Sequence, residues 1–592
     1  MCGIIACLGD IAVPHIIDGL KQLQNRGYDS AGLSLIHNNN WIINKYASEN
    51  SIKHLEDDIY PLSFNGIGHT RWATHGPKTV ENSHPHKSYN STFTVVHNGI
   101  IENYKILKEF LSNKGYKFFS QTDTEIIVNL LDYYNKENAV IDSIEKTIQS
   151  MEGTWGLCIQ VLHEPNVLYC VRHGSPLLVG NGGSFALVSS EYSGFCGKIT
   201  KYIELNSNDI CRLEHKNNEI HISTKHKYTL KNTPIEEFTN NYDPYAHWTQ
   251  KEIHEQPNTI LNVTNQGSRY KQDGTIVLGG LDKSKLRNID HIILLGCGTS
   301  YFSACIGSKY MKKMCNFISV QVYDAGEFTK HDIPKGKCAF IFVSQSGETK
   351  DLQKCIEIVE GHITIGIVNK VDSVIAREVD CGCYLNAGRE VGVASTKSFV
   401  SQVVLLSMLS IWFAQLQSGI NPTHIKAIKD LTNLPTDIEQ TLSVDMKPYT
   451  SLFKKHCFIL GKDYDEYTAK EGALKIKELS YIHAEGYSSS SLKHGPFALL
   501  EPGFPVILIS PKDKYWSKNE NVYEEIVSRH ANVITITNER LDRENTIVVA
   551  KNKTYQCILN MIPLQLLSYE LSVSRGYNPD TPRNLAKVVT VE

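Results

Sequence analysis

The sequence predicts a multidomain α/β protein: an amino-terminal sandwich of packed sheets with helices outside, followed by two αβα lobes. Three observations carry that prediction. Up to about residue 240, short apolar strands bounded by turn residues are broken by paired helical stretches. At His291 to Gly296 a continuous apolar strand runs straight into a helical pattern, as in a parallel sheet covered on both faces. After residue 450 the same strand-then-helix scheme returns, which marks an internal duplication. A chain of 592 residues also exceeds what one core can hold, so about three or four domains are expected.

The first element is a buried strand from Gly3 to Leu8, preceded by Cys2. Once Met1 is trimmed, Cys2 carries a thiol and a free α-amino group, and an amine with a reference pKa of about 8 can act as base beside its own nucleophile. Taken alone, Cys2 reads equally as a small buried hydrophobe. A helix is expected from Val13 to Leu23, then a turn over residues 25–32 and a strand from Leu33 to Ile36. Further strands fall at Ile67–Thr70, Thr94–His97 and Gly156–Ile159, with helices within residues 101–112 and 123–134. Polar residues gather where these strands end. Arg71 fits a bidentate carboxylate clamp or a surface ion pair. Asn98 and Gly99 supply an amide and an N–H, the parts of an oxyanion hole or of a hairpin turn. Asp123 stands at a helix start, as an ammonium partner or as an N-cap. The His84-Pro85-His86 run has no carboxylate or cysteine pair at ligand spacing and reads as a loop, not a metal site.

Together, a thiol nucleophile, a carboxylate clamp, an oxyanion hole and an ammonium partner suit hydrolysis of the side-chain amide of a free amino acid. The segments CGI, NRGYDSAG, HTRWATHG, HPH, VHNGIIENY and QTDTE resemble the N-terminal-nucleophile glutamine amidotransferase domain over roughly the first 240 residues. The resemblance implies a four-layer αββα sandwich. It further implies Cys2 as nucleophile and base, Asn98 and Gly99 as oxyanion donors, and Arg71 and Asp123 as holders of L-glutamine. Trp72 matches a tryptophan that gates ammonia passage in one subfamily.

Residues 240–244 break the pattern and open a linker expected over 241–280, in which Thr249 to Gln256 is charged, helical and ended by Pro257. Beyond it, Gly296-Cys297-Gly298 suggests a dinucleotide loop, and Asp324 offers a ribose partner. Against that, Tyr301 occupies the third glycine position and the loop carries hydroxyls. A second hydroxyl-rich loop, Ser344-Gln345-Ser346-Gly347-Glu348-Thr349, follows the strand Ala339 to Val343. It reads as a phosphate cradle or as a well-capped helix start. Val391 to Lys397 adds a third polar turn before an apolar helix at 403–416. In the second copy, Cys457–Gly461 leads to a helix over residues 464–477, where Glu471, Lys475 and Glu478 share one face. That face is either an exposed salt-bridged stripe or proton-transfer machinery with His494 nearby. The copy has no equivalent of the Ser344 loop, so one phosphate site per chain is expected. The tail from Pro582 is apolar, with Lys587 well placed in it, and suggests docking.

GCGTS, SQSGET, VGVASTK, EGALKIKELSYIHAE, LKHGP and PRNLAKVVTVE resemble the paired, doubly wound αβα sugar isomerase domains of the glutamine–fructose-6-phosphate aminotransferase (isomerizing) family. With the first domain, the resemblance spans essentially the whole chain. It implies domains at 1–240, 281–425 and 450–582, and a tail at 583–592 that closes the site. The implied activity is glutamine-dependent conversion of fructose 6-phosphate to glucosamine 6-phosphate, the first step of hexosamine synthesis. The family's phosphate cradle falls on Ser300, Ser344, Gln345, Ser346 and Thr349, and its sugar contacts on Val393, Ser395, Lys475 and Ala586. Glu478 matches the base that moves a proton between C1 and C2. His494 matches a ring-opening histidine supplied by the neighbouring subunit of a homodimer, and Lys587 matches the imine-forming lysine. No metal or organic cofactor is implied. Ser488 to Ser491 and Gly461-Lys462-Asp463 depart from the family's pattern. Rival readings are another amidotransferase sharing the first domain, which would lack SQSGET and the lysine tail, and a sugar-phosphate sensor, which needs neither Glu478 nor an N-terminal thiol.

The totals agree with this reading. A net charge of -3 gives no reason to expect nucleic acid or an anionic membrane as partner. The longest apolar run, Val403 to Leu416, falls short of the ~20 residues of a membrane span. Fifteen scattered cysteines and no visible secretory signal suit a reducing, cytoplasmic setting.

Overall fold

The computed structural model describes residues 2–24, 27, 29–48, 50–71, 77–233, 242–371 and 373–588. The chain forms two compact units, Met1–Asn240 and Asn241–Lys587.

The first unit holds an eight-stranded and a six-stranded sheet. Gly3–Leu8 is central in the larger sheet, antiparallel to Asn65–Arg71 on one side and Ala186–Ser189 on the other. Its side chains alternate, as a pleat requires. Ile4, Ala6 and Leu8 pack with Val96, Cys158 and Cys170 of the smaller sheet, whereas Ile5 and Cys7 pack with Ile16 and Leu20 of the helix Ala12–Leu23. The smaller sheet buries Val95, Leu157 and Ile159 against Ile126, Leu130 and Ile144 of the helices Thr124–Tyr134 and Val140–Ser150. The layers therefore run helix, sheet, sheet, helix. The strand expected at Thr94–His97 is longer than that: it spans Phe93–Ile101, so Asn98 and Gly99 lie inside it, paired with Gly156 and Trp155, and form no hairpin turn. Gly99 has φ +138, and a Cβ there would stand 2.0 Å from the Thr154 carbonyl oxygen. Only glycine fits.

The second unit contains two five-stranded parallel sheets with the same strand order. In the first, Ser319–Asp324, His291–Gly296, Cys338–Ser344, Ile363–Val368 and Cys381–Tyr384 lie side by side. In the second the order is His483–Ser488, His456–Gly461, Pro505–Ile509, Asn532–Thr537 and Thr546–Val548. Both faces are covered. Ile292, Leu294, Ile341 and Val343 join one core that continues into the second sheet, while Ile293, Leu295, Phe340 and Phe342 pack against Leu352 and Cys355. This is why the strands read as unbroken apolar runs.

Residues 241–280, expected as a linker, instead carry the helices Trp248–His254 and Gln256–Val263, whose Ile253, Ile260 and Val263 belong to the core. Pro257 does not end a helix. It sits in the first turn of the second one, where its missing N–H costs nothing. The apolar stretch at 403–416 is part of a 22-residue helix, Lys397–Ser418, with a mean hydropathy of 1.7 and 89% of its apolar window buried.

Candidate functional site

In the first unit, Cys2 is half-buried at the start of the central strand. The Asn98 amide donates to the Cys2 carbonyl oxygen at 2.9 Å, which places this side chain at the thiol-bearing residue. His69 Nε2 lies 3.0 Å from the His97 carbonyl oxygen and 3.1 Å from Asn98 Oδ1. Both partners are acceptors, so that nitrogen carries the hydrogen, and the bond fixes the Asn98 amide with its NH₂ toward Cys2. His69 is fully buried, and burial pushes it down to about 3, so it stays neutral. His84 stacks on it at 4.1 Å and is likewise held well below the usual range by burial.

Arg71 is buried, not part of a surface ion pair. Burial lowers its pKa, while Cys2, Asp29 and Asp123 act in the opposite direction, so these groups share one electrostatic neighbourhood. Asp123 makes no side-chain cap at the helix Thr124–Tyr134; its Oδ2 accepts from the Ile101 N–H at 2.9 Å. Trp72 lies outside the described residues. His69 and Asp29, which the sequence reading left without roles, stood inside the HTRWATHG and NRGYDSAG motifs.

In the second unit, the loops after His291–Gly296 and Cys338–Ser344 lie side by side, at the point where strand order reverses, the usual ligand crevice of such sheets. Ser300 Oγ accepts from Gln402 Nε2 at 2.9 Å. Ser344 Oγ accepts from the Gly347 N–H at 3.0 Å and lies 3.1 Å from Thr349 Oγ1, while Ser346 Oγ accepts from the Glu348 N–H at 3.1 Å. The hydroxyls therefore shape the loop, and no capping box forms at Thr349. Gly347 has φ +65, and a Cβ there would stand 1.9 Å from Ser373 Oγ, so the tight turn needs glycine. Gln345 is half-buried beside them. Asp324, the ribose candidate, instead accepts from the Gly326 N–H.

Glu471, Lys475 and Glu478 do not form an exposed stripe. Lys475 is buried on the helix Tyr464–Ser480, donates to Glu478 at 2.6 Å and lies 3.4 Å from Glu471. Thr299 Oγ1 accepts from Lys475 at 3.1 Å and donates to Glu471 at 3.0 Å, which ties the helix to the first lobe's loop. Burial pushes Glu471 up to about 8, against the pull of Lys475, so it is protonated at neutral pH. For Lys475 burial opposes the charge, but the two glutamates outweigh it and raise the ammonium's pKa.

The tail docks. The Arg583 N–H donates to the Tyr481 hydroxyl at 2.8 Å, and the Arg583 guanidinium stands 4.1 Å from that ring. Ala586 is half-buried beside Lys587. Lys587 Nζ sits 2.5 Å from Glu390 Oε2 and 3.3 Å from Ser395 Oγ. The Val393 N–H donates to the Asp580 carbonyl oxygen at 3.1 Å, so the 391–397 turn and the tail meet. Glu390 had no role in the sequence reading, because nothing in the sequence pairs it with Lys587. His494 is exposed at the end of a 3₁₀ turn, Ser489–His494. The two departures noted in the sequence touch each other: Lys462 donates to Ser490. No group of three or more potential ligands suited to a metal occurs among the described residues.

Comparison with known proteins gives a consistent picture. The glutamine amidotransferase domain profile matches residues 69–196, and the SIS domain profile matches residues 285–411 and 453–575. A probable glutamine–fructose-6-phosphate aminotransferase [isomerizing] of Acanthamoeba polyphaga mimivirus is 41% identical, and its counterpart in Aquifex aeolicus is 36% identical, each over the full length of both chains. The solved C-terminal domain of glucosamine-fructose-6-phosphate aminotransferase from Francisella tularensis is 32% identical, with a TM-score of 0.54, and covers 58% of this chain and 100% of its own.

Proposed function

The chain belongs to the glutamine–fructose-6-phosphate aminotransferase (isomerizing) family, and from that premise we propose how its residues divide the work. The enzyme takes nitrogen from glutamine and places it on fructose 6-phosphate, the entry reaction to hexosamines. Cys2, with its own α-amino group as base after Met1 is trimmed, attacks the glutamine amide. Asn98 and the Gly99 N–H receive the oxyanion, and Arg71 and Asp123 hold the substrate's carboxylate and ammonium. The ammonia is passed on without release, because in water at pH 7 it becomes unreactive ammonium; Trp72 gates that transfer.

At the sugar site, Ser300, Ser344, Gln345, Ser346 and Thr349 cradle the phosphate. Val393, Ser395 and Ala586 line the sugar, and Lys587 forms an imine with the open ketose. Glu478 moves the proton between C1 and C2, with Lys475 holding it in place. His494, exposed on its own chain, opens the ring in a second copy, so the working unit is a homodimer. A cytoplasmic setting accords with fifteen free thiols.

The observation that supports this division best is that one chain carries both the Cys2–Asn98 pairing and the buried Lys587–Glu390 pairing. Cys2→Ala is expected to abolish synthesis from glutamine and to keep synthesis from added ammonia. Product assays with each nitrogen source check this, and equal loss of both would refute separate sites.

A further inference from the structure

Only a free amine can form an imine, yet Lys587 is held in an ion pair with Glu390 that is almost completely sealed. Its side chain is 2% exposed and that of Glu390 is 0% exposed. Glu390 is held rigidly: Oε1 accepts from the Thr396 N–H at 2.9 Å and the Ser398 N–H at 3.2 Å, and Oε2 accepts from Ser398 Oγ at 2.8 Å. Behind it lies a second buried carboxyl, Glu252, which accepts from the N–H groups of Val391 and Gly392, the residues directly after Glu390. Lys397 completes the cluster but is taken up by Glu255 at 2.9 Å.

We propose that Glu390 is the base that takes the proton Lys587 must shed before it attacks the ketose, and that it returns the proton to the departing oxygen. This deepens the reading of Lys587 as the imine-forming lysine and rests on it. The proton passes from Nζ to Oε2, leaving a neutral amine and a carboxylic acid. The nitrogen lone pair attacks C2, a C–N bond forms, and the carbonyl electrons move to oxygen. Glu390 gives its proton to that oxygen to form the carbinolamine, then takes a proton from the attacking nitrogen and passes it to the new hydroxyl; the C–O bond breaks, water leaves and a protonated imine remains. Nothing is oxidised or reduced.

The surroundings favour this exchange. Transfer turns a buried ion pair into two neutral groups, which burial favours. In the resting state burial would raise Glu390, but Lys587 outweighs it and holds the carboxyl at about 2, so it is ionised while the ammonium stands beside it. Burial, and then the charge of Glu390, push Glu252 up to about 8, so it adds no second negative charge at neutral pH. The groups facing Glu390 are therefore Lys587, Glu252 and the Lys397–Glu255 pair, and their one net positive charge is balanced by Glu390 itself.

Trapping with cyanoborohydride tests the proposal on the full chain mixed with fructose 6-phosphate, with the modified lysine located by peptide mass. The unaltered protein is expected to trap at Lys587 at a rate nearly flat between pH 6 and 8. If solvent took the proton instead, the rate would climb about tenfold per pH unit, and that outcome overturns the proposal. Glu390→Gln is expected to slow trapping about 100-fold at pH 7 and to recover as pH rises; Glu390→Asp is expected to fall between. A Glu390→Gln rate equal to the parent's at every pH overturns the proposal, as does a slow rate that high pH does not restore, which marks a merely structural role. Where Glu390→Gln fails to fold, the pH profile of the unaltered chain decides. Absence of any adduct at Lys587 removes the imine reading itself, whereas an adduct indifferent to Glu390 removes only the role of Glu390.

Discussion

At the residue scale, the proposed glutaminase chemistry turns on the orientation of one amide, that of Asn98. An asparagine side chain presents either its oxygen or its NH₂ to a neighbour, and only the NH₂ stabilises an oxyanion. His69 settles the choice, being a buried neutral donor with two acceptors on Nε2. His69→Leu is therefore expected to lower kcat for glutamate release by about 10- to 100-fold with little change in KM. His69→Gln, whose amide N–H reaches the same side of the site, is expected to recover part of the loss. Steady-state glutaminase assays check this, and a parent-like kcat in His69→Leu would contradict the positioning role. The candidate residues Cys2, Arg71, Asn98, Gly99 and Asp123 were legible in the sequence because they sit in local motifs. His69, Asp29 and Glu390 escaped, since their contacts are made with partners brought near only by the fold; Glu390 and Lys587 are joined across a separation no pattern rule spans.

At the element scale, the face of the helix Tyr464–Ser480 that carries Glu471, Lys475 and Glu478 reads in sequence either as a surface salt-bridge stripe or as proton-transfer machinery, and it is in fact buried at Glu471 and Lys475. The difference is in what covers it: Thr299, from the other lobe's loop, closes over Lys475 and Glu471. Periodicity reveals which residues share a face, but not whether the face meets water. The burial has a consequence for stability. Glu471 keeps its proton in the fold up to about pH 8, whereas its ordinary value is 4.5. Between those values the folded state binds the extra proton, so its contribution is full below about pH 4.5 and is lost as pH rises toward 8. Glu471→Gln, which mimics the neutral acid, is expected to be more stable than the parent at pH 8 to 9, by on the order of a few kcal/mol at most, and to match it near pH 5. Thermal unfolding across that range checks the sign, and an advantage that shrinks with rising pH would show Glu471 to be ionised. Elsewhere the element predictions failed for identifiable reasons. The strand at Phe93–Ile101 ran through Asn98-Gly99 because Gly99 makes a close approach to Thr154 inside the sheet, and the 241–280 stretch was polar enough to look like a linker while its Ile253, Ile260 and Val263 served the core.

At the scale of the whole molecule, the αβα repeat was readable because unbroken apolar strands are a direct result of covering both sheet faces. Which charged residues the two lobes bring together was not readable, since that depends on how a shared core joins two sheets. His494 belongs to a larger scale still. It is exposed, and the proposed homodimer gives it a site on the neighbouring chain. His494→Ala and Lys587→Ala are each expected to abolish synthesis alone. Co-expressed in equal amounts, they are expected to restore about a quarter of parent activity, because half of the dimers are mixed and each of those keeps one intact site. Assay of the co-purified mixture checks this, and no recovery would place His494 within its own chain's site.

The helix Lys397–Ser418 is buried from Lys397 through Ala414, most of its residues apolar, and is covered partly by residues made much later. Ser407 meets the hydroxyl of Tyr555 at 3.1 Å, and the Thr396 carbonyl just before the helix accepts from Gln565 at 3.2 Å. During translation this segment leaves the ribosome well before its covering does, and at roughly 5–20 residues per second it waits on the order of ten seconds. For that interval the nascent polypeptide displays a greasy rod long enough to invite chaperones or membrane-targeting factors, so its maturation depends on the segment that carries Tyr555 and Gln565 arriving promptly.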